Sequence, residues 1–91
     1  MTKPLIIINN RAAKARRAWP IIRTRIEARG IDFDSYETKD AGDATSQTRA
    51  ALKAGITTVA VVGGDGTLSE AAQGFFEFAE HPDEFPAAVT R

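Results

Sequence analysis

The stretch Val59-Ala60-Val61-Val62-Gly63-Gly64-Asp65-Gly66-Thr67-Leu68 puts three glycines and one carboxylate between an apolar β-branched run and a helical pattern. Glycine lets a ligand approach the main chain closely. Unpaired amide hydrogens at a helix N-terminus, together with the helix dipole, favour an anion there. At the carboxyl end of a parallel strand this is where α/β sheets take their ligands. Gly63, Gly64 and Gly66 therefore point to a phosphate-binding loop, with a tight β–α turn as the plainer alternative. A carboxylate at Asp65 would repel phosphate unless a cation lay between them, so Asp65 is read as a Mg²⁺-linked group, directly or through water. The alternative is a side chain capping its own loop amides. Thr67-Leu68-Ser69-Glu70 also fits a capping box, in which the threonine bonds the third helical amide and the glutamate bonds back. Thr67 is assigned both roles, because a hydroxyl at the helix entrance can also reach a phosphate.

The elements that must position this loop follow from periodicity. Leu5-Ile6-Ile7-Ile8, ended by Asn9 and Asn10, reads as a strand buried on both faces, as in a parallel sheet. Ala15, Ala18, Trp19, Ile22 and Ile26 recur at offsets of three and four and make one helical stripe, with Trp19 in the core. Pro20 predicts a kink, or a helix that starts near Trp19. Gly30 stops that helix. Ile31 to Glu37 alternates as a strand with one wetter face near a sheet edge. Asp40 to Asp43 supplies turn and N-cap chemistry. Ala44, Thr48, Ala51 and Leu52 form the next stripe, Gly55 ends it, and Thr57 to Val62 is a second fully apolar strand. The last helix carries Leu68, Ala71, Ala72, Phe75 and Phe76 on one side until His81-Pro82 breaks it, and Phe85 to Arg91 follows without a closing element. His81 reads as a helix-end polar residue. Strand–helix alternation predicts a parallel sheet with right-handed crossovers, an α/β three-layer α/β/α fold.

Composition narrows the class. The 91 residues are 43% hydrophobic and 26% charged, which excludes a disordered chain, and there is no cysteine for a disulfide or thiolate metal site. No apolar run approaches the roughly 20 residues of a membrane span. The expected setting is the cytoplasm. Net charge is zero, but residues 1–30 hold eight Lys or Arg against the single acid Glu27. That asymmetry suits a solvated helix face, or a patch for phosphates or acidic lipid headgroups.

Gly63-Gly64-Asp65-Gly66-Thr67 resembles the signature loop of the superfamily that joins diacylglycerol kinases, sphingosine kinases, NAD kinases and phosphofructokinases. Further features are similar to the bacterial diacylglycerol-kinase-like lipid kinases. The strand Leu5–Ile8 runs into Asn9, which matches the Asn of an Asn-Pro-x-Ser-Gly loop. Glu37-Thr38 and Ala41-Gly42-Asp43-Ala44 resemble a threonine strand end and a Gly-Asp-Ala helix start. Leu68-Ser69-Glu70 and Gly74 resemble a Leu-Asn-Glu…Asn-Gly continuation. The resemblance implies ATP and Mg²⁺ as cofactors, with ATP held by Asn9, Asn10, Arg11, Ala12 and Ala13, by Thr38, and by Gly63, Gly64, Asp65, Gly66, Thr67, Leu68, Ser69 and Glu70. Mg²⁺ is expected at Asp65. The first loop departs from the pattern, for Asn9-Asn10-Arg11-Ala12-Ala13-Lys14 has no glycine, and Arg11 and Lys14 are expected to supply charge instead.

The implied activity is ATP-dependent phosphorylation of a lipid hydroxyl, with residues 1–91 as a truncated N-terminal nucleotide-binding part. The resemblance places the lipid site and the catalytic base in a β-rich C-terminal domain that the sequence lacks, so no catalytic residue is expected within these residues and the chain alone is expected to be inactive. Expected partners are ATP, a lipid substrate, a peripheral contact with the membrane and a second copy through an unpaired sheet edge. No nucleic acid is implied. An NAD-kinase-like enzyme and a non-catalytic nucleotide-binding module are the competing readings.

Overall fold

The computed structural model describes residues 3–79. Its elements alternate as β1 (Leu5–Ile8), α1 (Ala13–Ala28), β2 (Asp34–Glu37), α2 (Asp43–Lys53), β3 (Val59–Val62) and α3 (Asp65–Ala79). The three strands form one parallel sheet in the order β2-β1-β3. Leu5 stands opposite Asp34 on one side and Val59 on the other, and Ile8 opposite Glu37 and Val62. The chain steps from β1 to β2, then back across β1 to β3. Right-handed crossovers in opposite directions place their helices on opposite faces of a sheet.

The packing follows that rule. Ile6 and Ile8 face Trp19 of α1, with Ile22, Ile26 and Phe33 against them. Leu5 and Ile7 face Ala44 and Ala51 of α2, together with Val59. α3 lies on the α2 side, where Phe75 meets Leu52. The three layers are thus α1, sheet, and α2 with α3. Trp19 sits in the core and meets Phe33 edge-on at 5.9 Å between ring centroids. Such aromatic pairs add about 0.5–1.5 kcal/mol beyond their buried area.

Several sequence expectations shift. α1 begins at Ala13 and runs through Pro20 rather than starting there. Pro20 is exposed, so water can satisfy the carbonyl that its missing amide leaves unpaired. β2 is shorter than the alternating run, because its pairing to β1 starts at Asp34. Among the described residues it occupies an edge, as its wetter face suggested. β3 is apolar like β1, yet only Val59 is buried, because β3 has β1 on one side and no other strand among the described residues. Phe76 does not join the buried face of α3 and is 67% exposed. His81 and Phe85 to Arg91 lie outside the described residues.

The α2–α3 contact depends on one missing side chain. A Cβ at Gly74 would lie 2.4 Å from the Thr45 carbonyl oxygen and 3.0 Å from Thr48 Cβ. Around this close approach, the Thr45 hydroxyl donates to the Glu70 carbonyl at 2.7 Å, and Arg49 pairs with Glu77. Gly74→Ala should therefore force the helices apart and destabilise the protein by about 1–3 kcal/mol, the usual cost of overpacking. Thermal melts should show a loss of roughly 4–8 °C per kcal/mol. An unchanged or higher melting temperature would refute the close-packing account.

Candidate functional site

The loops after β1 and β3 leave adjacent strands toward opposite faces of the sheet. That is the switch point at which open α/β sheets form a crevice. At its base, the Asn9 amide hydrogen extends the β1–β3 ladder to the Val62 carbonyl at 2.9 Å, and the Thr38 amide extends the β1–β2 ladder to Ile8 at 2.9 Å. Three loops therefore meet at one end of the sheet.

Asn9 joins two of them with its side chain. Its Nδ2 donates to Thr67 Oγ1 at 3.1 Å, and its Oδ1 accepts the Arg11 amide at 3.0 Å. Gly63 leaves room for this bridge, since a Cβ there would stand 2.9 Å from Thr67 Oγ1 and 3.2 Å from Asn9 Cβ. None of Gly63, Gly64 and Gly66 needs a positive φ. A Cβ added at Gly64 or Gly66 would also meet no atom within 4 Å beyond its chain neighbours and, for Gly66, the nearby backbone of its own helix. Within the described protein, nothing in the packing requires glycine at those two positions.

The capping-box reading of Thr67 and Glu70 is overturned. α3 starts at Asp65, so Thr67 lies inside the helix and Leu68 donates to the Gly64 carbonyl at 3.2 Å. Glu70 Oε1 instead accepts the amide of Gly42, 28 residues away, at 3.1 Å. Gly42 is the N-cap of α2 and adopts φ +88°, a left-handed conformation that glycine takes readily. Glu70 thus fastens the start of α2 to α3.

The resulting cleft is about 210 Å³ and is lined by Asn9, Arg11, Thr38, Lys39, Asp40, Ala41, Gly66, Thr67 and Glu70. Of the residues expected at the site, Asn9, Arg11, Thr38, Gly66, Thr67 and Glu70 line it. Asn10 points instead to Glu37, its Nδ2 donating to Oε1 at 2.6 Å. Ala12 is the N-cap of α1 and Ala13 its first residue. Gly63 lies against Thr67 and Asn9, while Gly64 and Asp65 are exposed where α3 begins. Leu68 is half-buried and Ser69 is exposed. Lys39, Asp40 and Ala41 were not among the expected site residues. They enter through the turn after β2, where Arg11 also donates its guanidinium to the Lys39 carbonyl. Their signal was the strand-end Thr38 followed by turn residues, which placed them beside the crevice without pointing to any one side chain.

That turn is held by a carboxylate. Asp43 Oδ2 accepts the amides of Lys39 at 2.7 Å and Asp40 at 3.1 Å, and the Tyr36 hydroxyl at 3.3 Å. The two backbone amides hold the Asp43 carboxyl below its ordinary range, against a smaller opposing effect of desolvation. The Tyr36 hydroxyl is pushed up by desolvation first and by the Asp43 charge second.

A family model of the diacylglycerol kinase catalytic domain matches residues 3–89. The chain belongs to that family. It is 38% identical over 79 residues to a diacylglycerol kinase of Staphylococcus carnosus (strain TM300), covering 85% of this chain and 25% of that one. A diacylglycerol kinase of Staphylococcus haemolyticus (strain JCSC1435) is 34% identical over the same share of the chain, covering 24% of the relative. The fold is similar to the crystal structure of a protein provisionally described as a diacylglycerol kinase, from Bacillus anthracis str. Sterne. The TM-score is 0.64 at 26% identity, with 96% of this chain and 28% of that one covered. The chain spans about a quarter of the length of these relatives. No described helix of this family member is long and apolar enough to cross a membrane.

A lowered folded-state pKa stabilises above the unfolded value, and that stability is lost as pH falls through the folded value. Asp43→Asn should therefore melt below the parent at neutral pH, and the gap should narrow as pH drops below the ordinary value of 3.8. Paired melts across that range check it. A gap that widens toward acid would contradict the assignment of the turn to the Asp43 carboxylate.

Proposed function

We propose that these residues form the ATP-phosphate-binding part of a lipid kinase that phosphorylates a lipid hydroxyl. The observation that carries this reading is the pair Gly64 and Gly66, whose missing side chains face open space at the start of α3. A glycine that its own protein does not require is explained by a ligand that must approach the main chain. The first turn of α3 offers amide hydrogens and the positive end of its dipole to an anion.

The rest of the cleft fits a polyphosphate. Arg11 and Lys39 bring positive charge to one lip, and the buried Thr67 hydroxyl and Asn9 lie at the base. Its volume is below the roughly 300–1,000 Å³ of a typical ligand pocket, which suits the phosphates more than a whole nucleotide. Asp40, Asp65 and Glu70 add negative charge nearby. Among the described residues no three acidic or histidine side chains converge on a point, so Asp65 would hold Mg²⁺ together with the phosphates rather than within a protein cage. Bound Mg·ATP would supply the transferable phosphoryl group. The part of these residues is to fix its position and offset its charge, which is most of what a protein does in phosphoryl transfer. The setting proposed is the cytoplasm, with the lipid acceptor reached at the membrane.

Two substitutions test the reading. Gly64→Val places its Cβ in open space, clear of every residue but its chain neighbours, so the fold should survive while ATP affinity drops at least about tenfold, a loss of about 1.4 kcal/mol. Asp65→Asn should weaken Mg·ATP binding and leave metal-free ATP binding equal or tighter. Calorimetric titrations with and without Mg²⁺ read both. Parent-like ATP binding by a folded Gly64→Val protein would refute the site, and equal losses with and without Mg²⁺ would refute the role of Asp65.

A further inference from the structure

Glu70 lines the cleft, yet its bonds run to α2. In a capping box, a glutamate at the third helical position bonds back to the amide of the N-cap residue. In α2 that position is Thr45, and the N-cap residue is Gly42, which has no side chain to cap with. Glu70 makes the missing bond from another helix, its Oε1 accepting the Gly42 amide at 3.1 Å. Thr45 returns the contact, its hydroxyl donating to the Glu70 carbonyl at 2.7 Å. One residue of α3 thus holds the first turn of α2 by two bonds.

Gly66, Glu70 and Gly74 recur every four residues and share one face of α3. That face runs from the cleft, through these two bonds, to the close contact of Gly74 with Thr45. On the α2 side, Asp43 follows Gly42 directly and holds the amides of Lys39 and Asp40. Lys39, Asp40 and Ala41 form one wall of the cleft. A carboxylate beside a phosphate site works against the ligand. Among the described residues no three acidic or histidine side chains converge to share a cation. The bond to Gly42 accounts for the charge instead, since an ionised acceptor binds an amide more strongly than a neutral one.

We infer that Glu70 is a positioning residue, which sets the wall of residues 39–41 through the N-cap of α2 and does not itself contact the nucleotide. Its effect on ATP rests on the phosphate reading of the cleft. If the wall is freed, ATP affinity falls by the fraction of time the wall is in place.

Amide NMR of the nucleotide-free protein and ATP titration test this with three variants. Glu70→Gln keeps an acceptor oxygen for Gly42 and drops the charge. It should leave the signals of residues 39–42 near their parent positions, with ATP affinity within about threefold of the parent or tighter. Glu70→Ala removes the acceptor. It should shift those signals, speed their exchange with solvent and lower ATP affinity about tenfold, the scale of one hydrogen bond to a charged group. Thr45→Val, outside the cleft, removes the second bond and should shift the same signals and lower ATP affinity about threefold. Circular dichroism checks that each variant folds. Equal losses from Glu70→Gln and Glu70→Ala would make the charge itself a ligand for cation or nucleotide and overturn the inference. So would parent-like signals at residues 39–42 in Glu70→Ala, or in Thr45→Val where the alanine variant does not fold. A parent protein that binds no ATP refutes the phosphate reading alone, and the nucleotide-free signals then decide the role of Glu70.

Discussion

The Asn9–Thr67 hydrogen bond is the constraint on which the arrangement of the cleft depends. It ties the loop after β1 to the first turns of α3, across strands whose loops leave in opposite directions. The bridge is part-buried, and the Thr67 side chain lies in a site with 6% residual exposure, so an unpaired hydroxyl there would cost more than a surface one. It also dictates glycine at position 63, where a methyl group would stand on top of it. Asn9 uses both ends of its amide, so Thr67 and the Arg11 amide are placed by one side chain.

The second tie is longer in sequence and works on the other wall. Glu70 bonds the Gly42 amide with its side chain, and its carbonyl accepts the Thr45 hydroxyl. α3 thereby contributes both the floor of the cleft and the anchor for α2. The turn at Lys39 and Asp40 sits between these fixed points, pinned by Asp43 below and by Arg11 from the first loop. A first loop without glycine is compatible with this design, because here side chains rather than a bare backbone link it to the other loops.

The legible parts of the sequence were those governed by local periodicity or by central burial. Leu5–Ile8 is apolar at every position because it lies between two strands and two helical layers, and it folds as read. The glycine stretch announced a strand–helix junction, and α3 starts within it. What escaped depended on neighbours distant in sequence. β3 has the composition of β1 but not its burial, because sheet order, not the run itself, decides which strand is central. Glu70 matched a local capping pattern, yet its partner lies 28 residues back, at a helix start that only the folded topology brings near. Lys39 and Asp40 reach the cleft for the same reason.

The central claim is that an anion meets the main chain where α3 begins, within a crevice closed by Asn9, Thr67 and Glu70. Backbone amide NMR of the protein titrated with Mg·ATP tests it most directly. The account predicts the largest shifts at Gly64, Asp65, Gly66 and Thr67, with smaller ones at Arg11 and from Thr38 to Ala41, and little change at the far end of α1. Saturable shifts centred elsewhere, or none at the start of α3, would contradict it.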